Sequence, residues 1–159
     1  MPGDEPYIVE QANNRNIWIH LRDIFPHPYR MEHAIEWVRS TLSMDPLTQH
    51  AIDIDGCAAG GIGVVLKDDI YRRSGEIGYW LGESYWGQGI MTQAVIAVSD
   101  WAFSNFDICR LYAGVFAENK ASMRVLEKAG YTREACLKMA VTKDNRTMDE
   151  IIYAMVRMD

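Results

Sequence analysis

Two glycines, Gly87 and Gly89, stand immediately before a stretch whose apolar residues recur at helical spacing. Glycine permits a sharp backbone turn and the close approach of a ligand. The first N–H groups of a helix have no partners inside it, and the helix dipole adds partial positive charge at that end. The junction therefore suits a phosphate group, although a tight connection without a ligand is an equal alternative. The third glycine of a dinucleotide fingerprint and the lysine of a P-loop are both missing.

Three polar residues are further candidates for chemistry. Glu76 lies inside an otherwise apolar, strand-like stretch. A carboxylate there either faces solvent or is placed for proton transfer, and the local pattern does not decide between the two. Asn119 and Ser122 stand at the start of a later helix, where such residues also serve simply as N-caps.

An aromatic set near the N-terminus, Trp18, Phe25 and Tyr29, either lines a substrate pocket or forms core beneath a loop. The two alternatives are equally supported by the sequence. The four histidines do not show the spacing of metal ligands, and we expect no metal.

Hydrophobic periodicity predicts a mixed α/β chain with one domain over residues 1–159. After a short arm, Met1 to Pro6, the predicted helices are Tyr7 to Asn14, Glu32 to Leu42, Ile90 to Asn105 and Lys120 to Ala129. The predicted strands are Gln49 to Ile54, Gly60 to Leu66, Gly75 to Leu81, Leu111 to Ala117, Ala135 to Val141 and Glu150 to Met155. Asp55-Gly56 is typical of a hairpin turn, and Lys143-Asp144-Asn145 is the predicted link between the last two strands.

The composition excludes several classes of protein. A formal net charge of −6 without a basic stripe argues against nucleic-acid binding. No window is long and apolar enough for a membrane span, and no signal peptide is recognisable. Three cysteines without a CxxC pair indicate small buried residues rather than disulfides. We therefore expect a cytoplasmic protein that binds neither nucleic acid nor membrane.

The run GEIGYWLGESYWGQGIMTQAV, followed by RLYAGVFAENKASMRVLEKAGY, resembles the GNAT N-acetyltransferases. Within that family it resembles the branch that contains RimJ and RimL. The resemblance covers about Asn13 to the C-terminus. It implies a mixed, mostly antiparallel twisted sheet flanked by helices. The first strand of the family is missing here, either because the chain is truncated or because it works without that strand.

The resemblance also implies acetyl-CoA as a cosubstrate. In the family the glycine-rich turn cradles the pyrophosphate, the preceding strand binds the pantetheine arm, and an Asn and a Ser of the later helix face the pantetheine and the sulfur. The corresponding positions here are Tyr79, Trp80, Leu81, Gly82, Trp86, Gly87, Gln88, Gly89, Ile90, Met91, Thr92, Asn119 and Ser122.

The implied reaction is direct attack of a neutral primary amine on the thioester in a ternary complex. We expect Glu76 to be the base. Many relatives carry a tyrosine acid where this chain has Leu126, and Ser122 is the expected substitute. The acceptor is a protein N-terminus or a small-molecule amine. The alternative is an acetyl-CoA-binding sensor or an inactive interaction module on the same fold.

Without the first family strand, Gln49 to Ile54 becomes a sheet edge, which favours a homodimer or cover by the N-terminal arm.

Overall fold

The computed structural model describes residues 1–157 of the chain. The helices in that part are α1 (Glu5–Ala12), α2 (Arg15–Trp18), α3 (Met31–Leu42), α4 (Ile90–Asn105) and α5 (Lys120–Lys128). The strands are β1 (Gln49–Ile54), β2 (Cys57–Leu66), β3 (Ser74–Leu81), β4 (Arg110–Phe116), β5 (Thr132–Lys143) and β6 (Arg146–Val156). Short 3-10 turns lie at Asp69–Tyr71 and Glu83–Tyr85.

The strands form one sheet in the order β1-β2-β3-β4-β6-β5. β1 and β2 pair antiparallel, as do β4 with β6 and β5 with β6, whereas β3 and β4 pair parallel. The parallel register runs from Ser74 opposite Arg110 to Glu76 opposite Tyr112, while β4 pairs with β6 along its whole length. The predicted mixed, mostly antiparallel sheet with flanking helices is confirmed, and β1 lies at a sheet edge as expected.

The chain divides into two compact units, each described here by itself. The first consists of Met1–Gly63 and Tyr79–Gln88. Its core lies between α1 and α3, whose inward positions follow helical spacing. The buried members of this core are Ile8, Ala12, Tyr29, Ala34, Val38 and Ala58.

The second unit consists of Val64–Gly78 and the residues from Gly89 onward. Alternate residues of β4 are buried, and fully buried side chains of α4 and α5 belong to the same unit. One polar pair lies within this core: the hydroxyls of Ser99 and Tyr131 are 2.7 Å apart. Burial raises the pKa of Tyr131 to about 12, so its hydroxyl stays neutral.

Local turn chemistry agrees closely with the sequence. α4 has the predicted bounds. Asp55 and Gly56 have φ angles of 53° and 81°, as a two-residue hairpin turn of the primed type requires. Asp144 and Asn145, at 50° and 60°, form the corresponding turn between β5 and β6.

Other boundaries were predicted wrongly. α1 starts at Glu5, because Pro6 fits the first turn of a helix, so the predicted arm to Pro6 is too long. β5 and β6 are longer than expected, and Lys143 belongs to β5 rather than to the turn. β5 is mostly exposed and carries register shifts, so it shows no clear apolar alternation. The cysteines are free but half-buried rather than buried.

Among residues 1–157, no helix combines the length and the apolar character that crossing a membrane would require.

Candidate active site

The glycine-rich turn has the backbone conformation that the sequence suggested. Gly87 and Gly89 have φ angles of 75° and 80°, a region that residues with a side chain rarely adopt. In the part of the chain that the structure describes, a Cβ built on either glycine would meet no heavy atom within 4 Å. Open space therefore borders the backbone at both positions, so glycine is needed there for its conformation and not for tight packing.

α4 begins directly after this turn, with Gly89 as its N-cap. The Gln93 N–H donates to the Gly89 carbonyl at 3.1 Å. The N–H groups of Ile90, Met91 and Thr92 come earlier and have no acceptor within the helix. The first turn carries no acidic side chain, so the positive end of the helix dipole is not neutralised by the helix itself. The geometry suits an anion such as a phosphate.

The end of β3 already uses some of its backbone groups. The Trp86 indole N–H donates to the Leu81 carbonyl at 2.8 Å. The Gly82 N–H donates to the Ala59 carbonyl at 2.8 Å. These two bonds occupy the Gly82 N–H and one acceptor position of the Leu81 carbonyl, which leaves that oxygen a second lone pair.

A carboxylate that the sequence did not single out fixes the segment before the glycine turn. Glu83 accepts hydrogen bonds from the side-chain amide of Asn14 at 2.6 Å and from that of Asn16 at 3.0 and 3.1 Å. These bonds hold the pKa of Glu83 below its usual value, and the bond from Asn14 has the largest effect. Asn14 also caps α2 by accepting from the Asn16 N–H. The position of Asn14 before α2, where an asparagine serves as N-cap, was the one signal in the sequence that could have pointed to Asn14.

Asn119 acts as the N-cap of α5, because its side-chain oxygen accepts the Ser122 N–H at 3.1 Å. The N-cap alternative is therefore correct for this oxygen, and the Asn119 amide NH2 is the group that remains suited to a ligand. Ser122 is half-buried. Leu126, the position that the resemblance aligns with a tyrosine acid, is fully buried.

Glu76 lies in a cluster with two side chains that sequence reasoning missed. The Lys67 ammonium donates to its Oε2 at 2.8 Å, and the Tyr112 hydroxyl lies 3.5 Å from the same oxygen, at the outer limit of a hydrogen bond. The Glu76 side chain is 14% exposed and that of Lys67 28%. Lys67 follows β2, and its backbone N–H donates to the Ser74 carbonyl across the loop that connects β2 and β3. Pairing of the two strands across this loop was the signal that could have placed Lys67 near Glu76.

The ring of Tyr112 has two cations close to it. The Lys67 Nζ lies 5.6 Å and the Arg110 Cζ 5.5 Å from the ring centroid. Arg110 in turn forms a bidentate pair with Glu134, with one bond of 2.7 Å. That pair raises the pKa of Arg110 and lowers the pKa of Glu134. The cluster thus consists of two cation–carboxylate pairs whose cations both lie beside one phenol ring.

The Lys67 ammonium affects the chemistry available to the Glu76 carboxylate. The hydrogen bond to Glu76 is the main cause that raises the pKa of Lys67, so the pair is charged at neutral pH. An ionised carboxylate can accept a proton, but an adjacent cation makes it a weaker base. Glu76 as general base therefore stays a prediction, and Lys67 is its charge partner.

The three aromatic residues have different surroundings. Tyr29 is 6% exposed and belongs to the core of the first unit, where burial raises its pKa to about 12. Phe25 packs against that core and contacts Tyr29 and Trp80, with ring centroids 5.0 and 5.7 Å apart. Trp18 stacks on His27. This placement favours the core alternative for Tyr29 and Phe25 and leaves Trp18 as the candidate for a substrate contact.

Comparison with known proteins gives a consistent result. Residues 2–132 match the family described as an acetyltransferase (GNAT) domain. The probable N-acetyltransferase YjcK of Bacillus subtilis (strain 168) is 41% identical over 101 residues, which are 62% of this chain and 56% of that protein. The ribosomal-protein-serine acetyltransferase of Escherichia coli (strain K12) is 33% identical over 97 residues, 60% and 54% of the two chains. The chain spans about half the length of these curated relatives.

Among solved structures, the chain resembles RimL, a ribosomal α-N-protein acetyltransferase in complex with coenzyme A. The TM-score is 0.84 over 98% of this chain and 90% of that chain, and the sequence identity is 24%. At this identity the likeness concerns the fold.

Proposed function

We propose that this chain, which belongs to the acetyltransferase (GNAT) family and resembles its RimJ and RimL branch, transfers an acetyl group from acetyl-CoA to a primary amine. The observation that carries the proposal is the turn at Gly87 and Gly89, which is bordered by open space and followed by α4, whose first turn carries no acidic side chain. A pyrophosphate fits this arrangement, because an anion replaces the missing partners of the first N–H groups.

Several groups of the chain hold the coenzyme in this proposal. The backbone from Trp86 to Thr92 binds the pyrophosphate, the residues Tyr79 to Gly82 bind the pantetheine arm, and the Asn119 amide completes the site. When bound, acetyl-CoA supplies the activated acetyl group. The chain holds both reactants in line, which lowers the barrier to direct attack in a ternary complex.

Two side chains have proposed roles in proton transfer. Glu76 accepts a proton from the acceptor ammonium, directly or through a water, so that a neutral amine becomes the nucleophile. The Ser122 hydroxyl is the proposed proton donor on the opposite side of the reaction. A thiol has a reference pKa of about 8.5, so the leaving sulfur needs little acid assistance. The buried Leu126 in place of a tyrosine is therefore compatible with turnover.

A matched pair of glycine variants tests the coenzyme site. Gly89→Val and Gly56→Val both place a β-branched residue at a φ near 80° with open space around it, so both carry similar backbone strain. Calorimetry with acetyl-CoA should show a large loss of affinity for Gly89→Val and unchanged affinity for Gly56→Val. Equal losses in the two variants, or no binding to the unaltered protein, would contradict the proposal.

Two of the proteins named above, the ribosomal-protein-serine acetyltransferase and RimL, support a protein N-terminus as the acceptor. We therefore propose a peptide α-amine as the first acceptor to test, with small-molecule amines next. Mass spectrometry should detect one added acetyl group on a peptide with a free N-terminus and none on the same peptide with a blocked N-terminus. Coenzyme binding without transfer to any acceptor would instead support a sensor or an inactive interaction module.

The cytoplasmic setting and the homodimer expected from the sequence remain part of the proposal. β1 is an edge strand with a register shift between Ile52 and Asp53. The register is regular from Gln49 to Ile52, so this part of the edge remains able to pair with a second chain. Light scattering at micromolar concentration should give a dimer, and a monomer that keeps its stability when the residues before α1 are removed would count against both versions of this idea.

A further inference from the structure

A second concave site lies wholly within the second unit, between the end of β2, the loop that follows it and the segment after α4. Its volume is about 290 Å³, slightly below the usual range for small-molecule pockets. The residues that line it are Leu66, Lys67, Arg72, Phe106, Asp107 and Ile108.

The lining is half apolar and half charged. Three of its side chains are aliphatic or aromatic, and two, Lys67 and Arg72, are cations. The single carboxylate, Asp107, already pairs with the Nε of Arg73 at 3.2 Å. The charge that the lining can offer to a ligand is therefore positive, next to an apolar wall.

Both cations retain donors for a ligand. Arg72 uses one Nη1 bond to the Asp69 carbonyl at 3.1 Å, which steadies the guanidinium and leaves its other N–H groups. Lys67 donates to Glu76 at 2.8 Å, and an ammonium has three N–H donors. Lys67 thus belongs to two sites at once: it lines the cavity and it is the partner of Glu76.

We propose that this cavity binds a small amphipathic anion, with the anionic group on Lys67 and Arg72 and the apolar body against Leu66, Phe106 and Ile108. The anion and the Glu76 carboxylate draw on the same ammonium, so each weakens the hold of the other on Lys67. By linkage, a change that removes the charge of Glu76 should therefore strengthen binding of the anion. Any effect of the anion on acetyl transfer rests on the proposed function, whereas the binding itself does not.

Binding is tested on the full chain without acetyl-CoA or acceptor, by calorimetry and by NMR titration. The probes are phenylacetate, phenyl phosphate and the neutral phenylacetamide. The two anions should bind and the amide should not, and the tighter anion identifies the ligand as a carboxylate or a phosphate. Equal binding of the amide would overturn the anion site, and so would the absence of binding by both anions.

Variants locate the site. Lys67→Met and Arg72→Met should each weaken anion binding by about tenfold, because each removes a charge-assisted hydrogen bond. Lys138→Met is the matched control, since Lys138 also pairs with a carboxylate, Asp149, at 2.8 Å but does not line the cavity. Melting temperatures confirm that each variant is folded. Equal losses in Lys67→Met and Lys138→Met would overturn the proposal.

Glu76→Gln tests the sharing of Lys67. It should bind phenylacetate about threefold more tightly than the unaltered chain, because the ammonium no longer neutralises a carboxylate. Unchanged or weaker binding would overturn the shared use of Lys67. Since no turnover is measured, this result stays independent of whether the chain acetylates any amine.

Discussion

Two carboxylates seven positions apart in the sequence have opposite surroundings. Glu76, in the second unit, has a side chain that is 14% exposed and receives its hydrogen bond from the Lys67 ammonium. Glu83, in the first unit, is exposed and is held by the uncharged amides of Asn14 and Asn16. Both are glutamates close to the glycine-rich turn in sequence, so residue type and spacing do not distinguish them.

The difference shows how partners determine the role of a carboxylate. Neutral amide donors fix the orientation of Glu83 without offering a group that exchanges protons, which suits positioning of the segment before Gly87. An ammonium neutralises Glu76 and makes its charge dependent on a second titratable group. Glu76 is thus the partly buried carboxylate whose charge depends on a neighbouring cation, and Glu83 is the exposed carboxylate held by neutral amides. The following predictions test whether only the first takes part in proton transfer.

The largest effect should come from Glu76→Gln. If Glu76 is the general base, turnover should fall by about 10²–10⁴-fold, while acetyl-CoA affinity stays nearly unchanged. Steady-state kinetics and calorimetry measure the two quantities. Glu134→Gln is the control, because Glu134 is also paired with a cation, Arg110, in the same unit. Unchanged turnover in folded Glu76→Gln would reduce Glu76 to a structural carboxylate, and a change confined to acceptor KM would make it a binding group.

The next effect should come from Lys67→Met. The Lys67 ammonium and the Glu76 carboxylate stabilise each other's charge, so without the ammonium the acidic limb of the pH–rate profile should move to higher pH. A profile that does not move would separate Lys67 from the reaction.

The same variant has a stability signature at high pH. Glu76 raises the pKa of Lys67 above its ordinary value of 10.5. The contribution of the pair to stability is therefore fully present below about pH 10.5 and is lost as the pH rises through the folded-state pKa. Denaturant unfolding should show the difference in stability between the unaltered chain and Lys67→Met shrinking in that alkaline range.

The contrast between the two glutamates also shows what sequence reasoning can reach. The bounds of α4 and the turn at Asp55-Gly56 followed from local signals, because helical periodicity and φ preferences act within a few residues. Glu76 was found because a charge inside an apolar strand is conspicuous. Its partners Lys67 and Tyr112 come from other segments, and such pairings depend on strand register rather than on local pattern.

The boundaries that failed have a physical reason as well. β5 is largely exposed, so apolar alternation does not mark its ends. The short helix α2 depends on the Asn14 cap and has only four residues, which is below the length at which periodicity is informative. The aromatic residues remained undecided because a pocket wall and a core surface have the same composition, and only burial separated Tyr29 from Trp18.

A smaller effect is expected from the amide-held carboxylate. Glu83→Gln keeps the shape of the side chain but presents an NH2 group to the two asparagines, so acetyl-CoA affinity should fall by about threefold and turnover at saturation should not change. Because its hydrogen bonds lower the pKa of Glu83, the stability that they contribute is present above about pH 4.5 and is lost as the pH falls through the folded-state pKa.

A double-mutant cycle with Asn16→Ala checks this interpretation. If Glu83 acts through Asn16, the losses of coenzyme affinity in the two single variants should not add in the double variant. A loss of turnover in Glu83→Gln as large as that in Glu76→Gln would erase the distinction between the two carboxylates.

The smallest effect should come from Tyr112→Phe, which separates the two ways in which Tyr112 contacts the Glu76 cluster. The hydroxyl lies 3.5 Å from Glu76, so removing it deletes a weak hydrogen bond, whereas the aromatic ring that faces Lys67 and Arg110 is retained. Turnover should change by about twofold or less.

Tyr112→Leu, which also removes the ring, should lower turnover further and move the pH–rate profile, because the Lys67 ammonium loses its contact with the aromatic ring. Equal effects of the two substitutions would assign the contribution of Tyr112 to its hydroxyl, and the cluster would then depend on a proton-bearing group rather than on the arrangement of its charges.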